Sequence, residues 1–414
     1  MSAFSIPLSG LEASSSSLNV IANNLANLNT DGYKNETMNF GDIFNQMQGT
    51  SGNGDPIQTG SGVQVAGTTA NFADGTVNST GVSSNMALQG NGFFVLQNSS
   101  SGATDYTRSG DFTVNSSGQL TTQSGELVMG YPATNGVVST SEALAPISVN
   151  QSTTIPGVAT TSFQMNTNLD SSAGVGGTFS SPITVYDSLG TAQTLTVNYT
   201  NTSPNNWSYT VTLPASATGG TGSPTTITSG TLAFNSSGQL TSPSGSITGI
   251  NVSGLADGAA AMNLTWKLSD AAGNPTITQQ NSASATATTN QNGYGVGTLT
   301  SYSVLPDGTV QGQFSNQQTL ALGQVAVASF ANNQGLTQTG SNDYQATFAS
   351  GAAVVGTAGT GGNGSITGGA VEDSNVDLST EFSNMIVAQQ NYEANAKALT
   401  TLNQISQATI QMMS

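Results

Sequence analysis

The charged side chains of this 414-residue chain that could do acid–base or nucleophilic chemistry are 21 Asp and Glu, three Lys and one Arg, with no His and no Cys. Without His, the Ser-His-Asp arrangement, imidazole general bases and most zinc sites are excluded. Without Cys, thiol nucleophiles, iron–sulfur clusters and disulfides are excluded. Carboxylate pairs can hydrolyse glycosides with no His at all. The acids here are scattered, however, and Asp74, Asp111, Asp187 and Asp307 stand beside Gly or Ser, where a carboxylate usually caps a turn. Glu372-Asp373, with Asp377 nearby, reads as the lead-in to a helix, because no EF-hand spacing accompanies it. The run Gly359-Thr360-Gly361-Gly362-Asn363-Gly364 matches G-x-G-x-x-G. A dinucleotide site needs a strand before that run and a helix after it. Ser365-Ile366-Thr367-Gly368-Gly369 follows instead, so a flexible linker is expected. No Walker A lysine loop surrounds Lys34, Lys267 or Lys397. Arg108, the sole Arg, reads as a surface or hairpin residue, with a bridge between subunits as the other option. No catalytic, cofactor-binding or metal-binding residue is assigned, and no cofactor is expected.

The composition agrees with a non-enzymatic role. The formal charge is −17, and charged residues make up only 6% of the chain. Phosphate contacts and anionic lipid surfaces both require Lys and Arg in number, so neither nucleic acid nor membrane is an expected partner. No run of apolar residues is long enough to span a bilayer. Met1-Ser2-Ala3-Phe4-Ser5 has neither a basic region nor an apolar one, so export without a cleavable signal peptide is the expectation.

If side chains do not perform the function, the elements that carry them must. Near the start, Leu11, Leu18, Ile21, Leu25 and Leu28 fall at alternating steps of three and four, with Ser14 filling the skipped place after Leu11, which is a heptad seam. Pro7 suits a first helical turn, and Asn29-Thr30-Asp31-Gly32 supplies a stop. At the other end, Leu378, Phe382, Met385, Gln389, Tyr392, Ala396 and Leu399 repeat the pattern, and Leu402, Ile405, Ile410 and Met413 extend it. Asp377 is the expected N-cap, with Glu381 in the first turn. A helix over 378–413 would be about 54 Å long. Neither stripe can bury itself, so the two are expected to pair with each other or with neighbouring molecules.

The middle reads as β structure. Apolar and polar residues alternate in Leu195-Thr196-Val197-Asn198-Tyr199, and turn signals recur at Asp74-Gly75, Asn91-Gly92 and Asp307-Gly308. Asn-Ser-Ser-Gly-Gln-Leu-Thr occurs at 115–121 and again at 235–241, which predicts two similar hairpins. Linker-like composition marks Gln48–Gly62, Ala215–Ser223, Ser282–Gly297 and Gly356–Gly369. The expected organisation is a multidomain, mainly β protein with a nested arrangement. Residues 1–32 plus 376–414 form a terminal helical coiled-coil domain, and 33–70 plus 355–375 are connecting segments. Residues 71–145 plus 290–354 form an inner β domain, and 146–289 an inserted outer β domain whose core holds Trp207 and Trp266.

Leu18-Asn19-Val20-Ile21-Ala22-Asn23-Asn24-Leu25-Ala26-Asn27 through Lys34 resembles the N-terminal signature of the bacterial flagellar rod and hook family. Asn375 through Lys397 is similar to that family's C-terminal signature. Gly90-Asn91-Gly92-Phe93-Phe94-Val95 and Tyr106-Thr107-Arg108-Ser109-Gly110-Asp111-Phe112 look like its β-domain motifs. The length and the large insert resemble hook more than rod subunits. The resemblance implies a structural subunit of the flagellum, located in the basal body and hook. Such a subunit self-assembles into a flexible hollow helical tube that carries torque from motor and rod to filament. Implied partners are further copies of the chain, rod and hook–filament junction proteins, the hook cap during assembly, and the flagellar type III export apparatus. The residues expected to carry polymerisation are Leu11, Leu18, Ile21, Leu25, Leu28, Leu378, Phe382, Met385, Tyr392, Leu399 and Leu402. The rival readings are a distal rod or other axial subunit and, further off, a secreted β-rich adhesin.

Overall fold

The computed structural model describes residues 4–43, 46–50 and 56–413. The first three residues, and 51–55 within the expected linker Gln48–Gly62, lie outside them. The chain is mainly β, with one long helix near each end: α1, Ser5–Ala26, and α2, Leu378–Met413. α1 stops before Leu28, which lies in the turn that follows. Two compact units divide the chain. The first comprises 1–150, 301–312 and 319–414, and the second 151–300 and 313–318.

In the first unit, antiparallel strands lie side by side in the order Thr319–Ser329, Leu127–Thr134, Phe93–Gln97, Thr104–Thr107, Asp343–Gln345, Thr337–Gly340. The strand Phe93-Phe94-Val95-Leu96 is apolar throughout because both of its faces are covered. Phe94 and Leu96 join a core with Met86, Leu88 and Phe112. Phe93 and Val95 join another with Tyr106, Phe330 and Tyr344. Edge-to-face aromatic pairs tie that second core, with Phe93 5.5 Å from Tyr344 and Tyr106 4.9 Å from Phe330. Gly110 lies where the chain crosses Met86 so closely that an added Cβ would overlap the Met86 carbonyl. Its own carbonyl accepts the Met86 N–H at 2.9 Å. Gly110→Ala should therefore destabilise this unit by about 1–3 kcal/mol through overpacking, measured as a shift of the urea midpoint.

The second unit contains two five-stranded sheets. One is a meander of Thr178–Tyr186, Ala192–Ser203, Asn206–Leu213, Thr225–Phe234 and Leu240–Ser242. The other centres on Ser162–Asp170, which pairs parallel with Met262–Lys267 and Ile277–Gln280 and antiparallel with Ala285–Gln291. Residues of alternating burial, such as Phe163, Met165, Leu195, Val197 and Tyr199, meet in one core with both tryptophans.

The repeated heptapeptide makes the same turn in each unit. Asn115 Oδ1 accepts from the N–H of Ser117 and Gln119, and Asn235 Oδ1 from those of Ser237 and Gln239. Gly118 and Gly238 take the left-handed conformation that closes each turn, with φ of 78° and 74°. Asp187 and Asp307 cap turns by accepting backbone N–H groups at 2.9 Å. All four expected linker stretches contain regular structure. Pro56–Thr59 and Ala285–Gln291 are strands, Ala215–Thr218 a turn of 3-10 helix, and the G-x-G-x-x-G run a tight turn between the strands Val354–Thr357 and Ser365–Gly368. That turn is closed by the Gly359 N–H on the Gly364 carbonyl at 2.8 Å. With a strand after the run, it lacks the helix N-terminus that a pyrophosphate would need.

Candidate assembly interface

Both terminal helices are rooted in the first unit, and the residues that root them are polar. Asp377 caps α2 by accepting the Thr380 N–H at 2.7 Å, and the Thr380 backbone holds its carboxyl below the usual range. One turn later Glu381 is buried against α1, and burial pushes its carboxyl up. Asn24 Nδ2 donates to Glu381 Oε1 at 3.4 Å and to the Glu36 carbonyl at 2.8 Å. Asn24 Oδ1 accepts from the Tyr33 hydroxyl at 3.1 Å and the Glu36 N–H at 3.0 Å. One amide thus links α1, α2, Tyr33 and the strand Glu36–Asp42. Burial, with Glu36 and Glu381, pushes the Tyr33 hydroxyl up to about 12.

Behind this latch lies a charge node in which Lys34, Glu372 and Arg108 are buried and Asp74 is exposed. Lys34 Nζ is 2.6 Å from Glu372 Oε1 and donates to the Ala73 carbonyl at 2.9 Å. Glu372 Oε1 also accepts the Gly75 N–H at 2.7 Å. Arg108 Nη1 is 3.7 Å from Glu372 Oε2 and 3.4 Å from Asp74 Oδ1. Its Nη2 donates to the Gly90 carbonyl at 2.8 Å, and its guanidinium lies 5.3 Å from the centre of the Phe93 ring. Arg108 is therefore neither a surface residue nor a free hairpin residue. Its side chain is 1% exposed, and it is held there because Glu372, Asp74 and the Leu88 and Gly90 carbonyls compensate its desolvation. Asn375 completes the root: its Oδ1 accepts the Asn35 N–H at 2.7 Å, and its Nδ2 donates to the Asn71 and Ala73 carbonyls. Segments at 31–36, 72–75, 88–93, 106–112 and 371–381 thus converge on one place. Pattern reading missed Lys34, Glu372, Asn24 and Asn375 as a group. The available signal was scarcity, since two of only four cations sit here.

On that root the helices pack side by side. Of the residues expected to carry polymerisation, Ile21 is buried. Leu11, Leu18, Leu25, Leu28, Met385, Leu399 and Leu402 are half-buried, while Leu378, Phe382 and Tyr392 are exposed. The buried positions of α1 are mostly small or polar: Pro7, Ala13, Ser14 and Asn24, together with the apolar Ile21. The space a Cβ would need at Gly10 is filled by the Asn395 side chain of α2, 2.8 Å away. α2 answers with Glu381 and Ala388. Such residues let two backbones approach closely, and they leave larger side chains outside. Phe382 is 47% exposed, Ile386 55%, Ile405 56% and Ile410 65%. A cavity of about 540 Å³, lined in part by Val20, Ile21, Met38, Phe40, Val63 and Val387, lies where α1, α2 and the strands Glu36–Asp42 and Val63–Ala70 meet. No group of carboxylates among the described residues has the geometry to hold a metal.

Comparison with known proteins places the chain in the class to which these rooted helices and β units belong. Residues 6–34 match the flagella basal body rod protein family, and 87–168 the D1 domain of the hook protein FlgE/F/G group. Residues 159–294 match the flagellar basal body protein FlaE D2 domain, and 367–412 the basal body rod FlgEFG C-terminal family. This is the architecture of the flagellar rod–hook proteins. Among curated relatives, the flagellar hook protein FlgE of Escherichia coli K12 is 38% identical over 97% of this chain and 98% of its own. FlgE of Salmonella typhimurium is 39% identical over the same shares, and FlgE of Treponema pallidum 30% over 95% of this chain and 96% of its own. The chain belongs to the flagellar hook protein FlgE family.

Proposed function

We propose that this chain is the structural subunit of a bacterial flagellar hook, polymerising into a flexible hollow tube that transmits torque. The observation that carries the reading is that Phe382, Ile386, Ile405 and Ile410, spread along α2, keep bulky apolar side chains in contact with water in the isolated chain. Each such side chain gains about 1.5–3 kcal/mol on full burial, and further copies of the same chain supply the surface. The α1–α2 pair then acts as a coiled coil lining the channel, with the β units outside it. Leu11, Leu18, Ile21, Leu25, Leu28, Leu378, Phe382, Met385, Tyr392, Leu399 and Leu402 are the proposed contact residues. Repetition by a rotation that does not close gives an open helical polymer. Rod, junction, cap and export proteins are the proposed partners, with export reading the mature chain. The relatives' names do not favour a distal rod or adhesin role.

Electron microscopy of the purified chain in high-sulfate buffer tests this. Tubes should form from the intact chain and not from one lacking residues 400–414, and closed trimers would overturn the reading. Phe382→Asp should abolish tubes while leaving the monomer's urea midpoint within about 0.5 kcal/mol of its original stability, as for an exposed position. Because the net charge is −17, added salt should lower the concentration needed for assembly by screening repulsion.

A further inference from the structure

The first unit holds a second set of buried ionisable groups that the assembly face does not use. Asp105 lies on the strand Thr104–Thr107. Asp343 opens the strand Asp343–Gln345 and pairs in register with Thr107. Glu126 immediately precedes the strand Leu127–Thr134 and is within hydrogen-bonding reach of both. All three are buried, at 4%, 6% and 8% exposure for Asp105, Asp343 and Glu126. Their nearby donors are neutral: Asn98 Nδ2 reaches Glu126 Oε1 at 3.1 Å, and the Thr107 hydroxyl, near Asp343, donates to the Asn342 carbonyl at 3.0 Å. The other ionisable neighbours are Tyr106 and Tyr344 on the same strands, with Asp31 and Asp111 lining a cavity that Asp343 shares. Arg108 is committed to Asp74 and Glu372. Asp105 Oδ1 and Glu126 Oε2 have no hydrogen-bond partner.

Three ionised carboxylates packed together with no cation would repel strongly. A proton on one of them removes a charge and turns an acceptor into a donor, which gives the orphaned oxygens a partner. We propose that Glu126 and Asp343, packed beside Asp105, share a proton in the folded chain, and that its loss as pH rises releases the Thr337–Gln345 hairpin from the strand Thr104–Thr107. Burial, followed by the Glu126 charge, pushes Asp343 up to about 7, in keeping with this geometry. The hairpin is worth releasing because it touches the helix root. Asn342 Nδ2 donates to the Asp31 carbonyl at 2.9 Å, and Gln338 Nε2 to Glu36 Oε1 at 2.8 Å. The sign follows from linkage. The docked hairpin binds the proton more tightly than the released one, so raising the pH favours release until both forms are ionised.

Hydrogen exchange on the full-length chain reads the effect at the 337–345 amides. After correction for the intrinsic rate, the opening constant should rise about tenfold between about pH 6 and about pH 8. Asp343→Asn and Glu126→Gln should each flatten that dependence, and Asp343→Asn should increase protection at the higher pH. An opening constant equal at both pH values, or a slope unchanged in the variants, overturns the proposal. So does restoration of protection by millimolar calcium at the higher pH, which would make the site a cation site. Should the variants not fold, carbon-detected NMR titration of the wild-type carboxyls decides: if no carboxyl titrates above about pH 6, the shared proton is refuted.

Discussion

Glu372→Ala should cost the first unit about 3–5 kcal/mol, the loss expected when one partner of a buried ion pair is removed. The carboxylate has no exposed side-chain surface, and it serves Lys34 at 2.6 Å, the Gly75 N–H at 2.7 Å and Arg108 at 3.7 Å. Without it, two cations are left in the interior with mainly carbonyl oxygens around them. Lys34 gives the effect a pH signature. Burial already pushes its ammonium below its ordinary 10.5, and Glu372 opposes that shift. Removing Glu372 lowers it further. A base whose folded value is depressed is penalised while the pH is below that value. The penalty fades as the pH rises toward the unfolded value. The variant should therefore regain stability as the pH is raised from about 7 to about 10, far more than the parent does. Lys34→Met combined with Glu372→Leu should cost less than Glu372→Ala alone, since no unpaired charge remains on that axis. The readout is selective. Trp207 and Trp266 both belong to the second unit, so the helix circular-dichroism transition should shift while the tryptophan fluorescence transition stays in place. A loss below about 1 kcal/mol, the range of a surface pair, would show that the node contributes little.

Trp266→Ala should have the opposite signature, a loss of about 3–5 kcal/mol read by the remaining Trp207 with the helix signal unmoved. Trp266 is fully buried. Its ring stacks on Phe163 at 5.8 Å and meets the edge of Tyr209 at 5.3 Å, with Tyr199 at 6.3 Å. It stands where the two sheets of the second unit face each other, so a cavity there has neighbours on every side and little freedom to collapse. Trp266→Phe should cost less, and the reason is specific. The indole N–H has no partner, so the smaller ring loses packing volume and no hydrogen bond. Equal losses in the two variants would mean that the indole N–H, not ring volume, carries the contribution.

What could be read from the sequence was whatever depends on local periodicity. The start of α1, the whole of α2 and the Asp377 cap follow from spacing and residue type, because helix formation answers to near neighbours. The paired Asn-Ser-Ser-Gly-Gln-Leu-Thr turns are legible for the same reason: an Asn accepting from the backbone two and four residues on needs no distant partner. The motifs of the rod and hook family could also be recognised, though not what they do together. Lys34 and Glu372 are 338 positions apart, and no periodicity links them. Arg108 looked like a surface residue because a lone charge usually is one, and only the fold brings carboxylates and carbonyls around it.

The same division separates the helices from the face they offer. Composition and spacing determined that both ends of the chain carry stripes unable to satisfy themselves in isolation. Which side of each stripe turns inward was decided by tertiary structure. Gly10, Ala13 and Ser14 on one helix and Ala388 on the other let the backbones close together, and Asn24 holds Glu381 between them. Close approach selects small side chains, so Phe382, Ile386, Ile405 and Ile410 of α2 are left facing water.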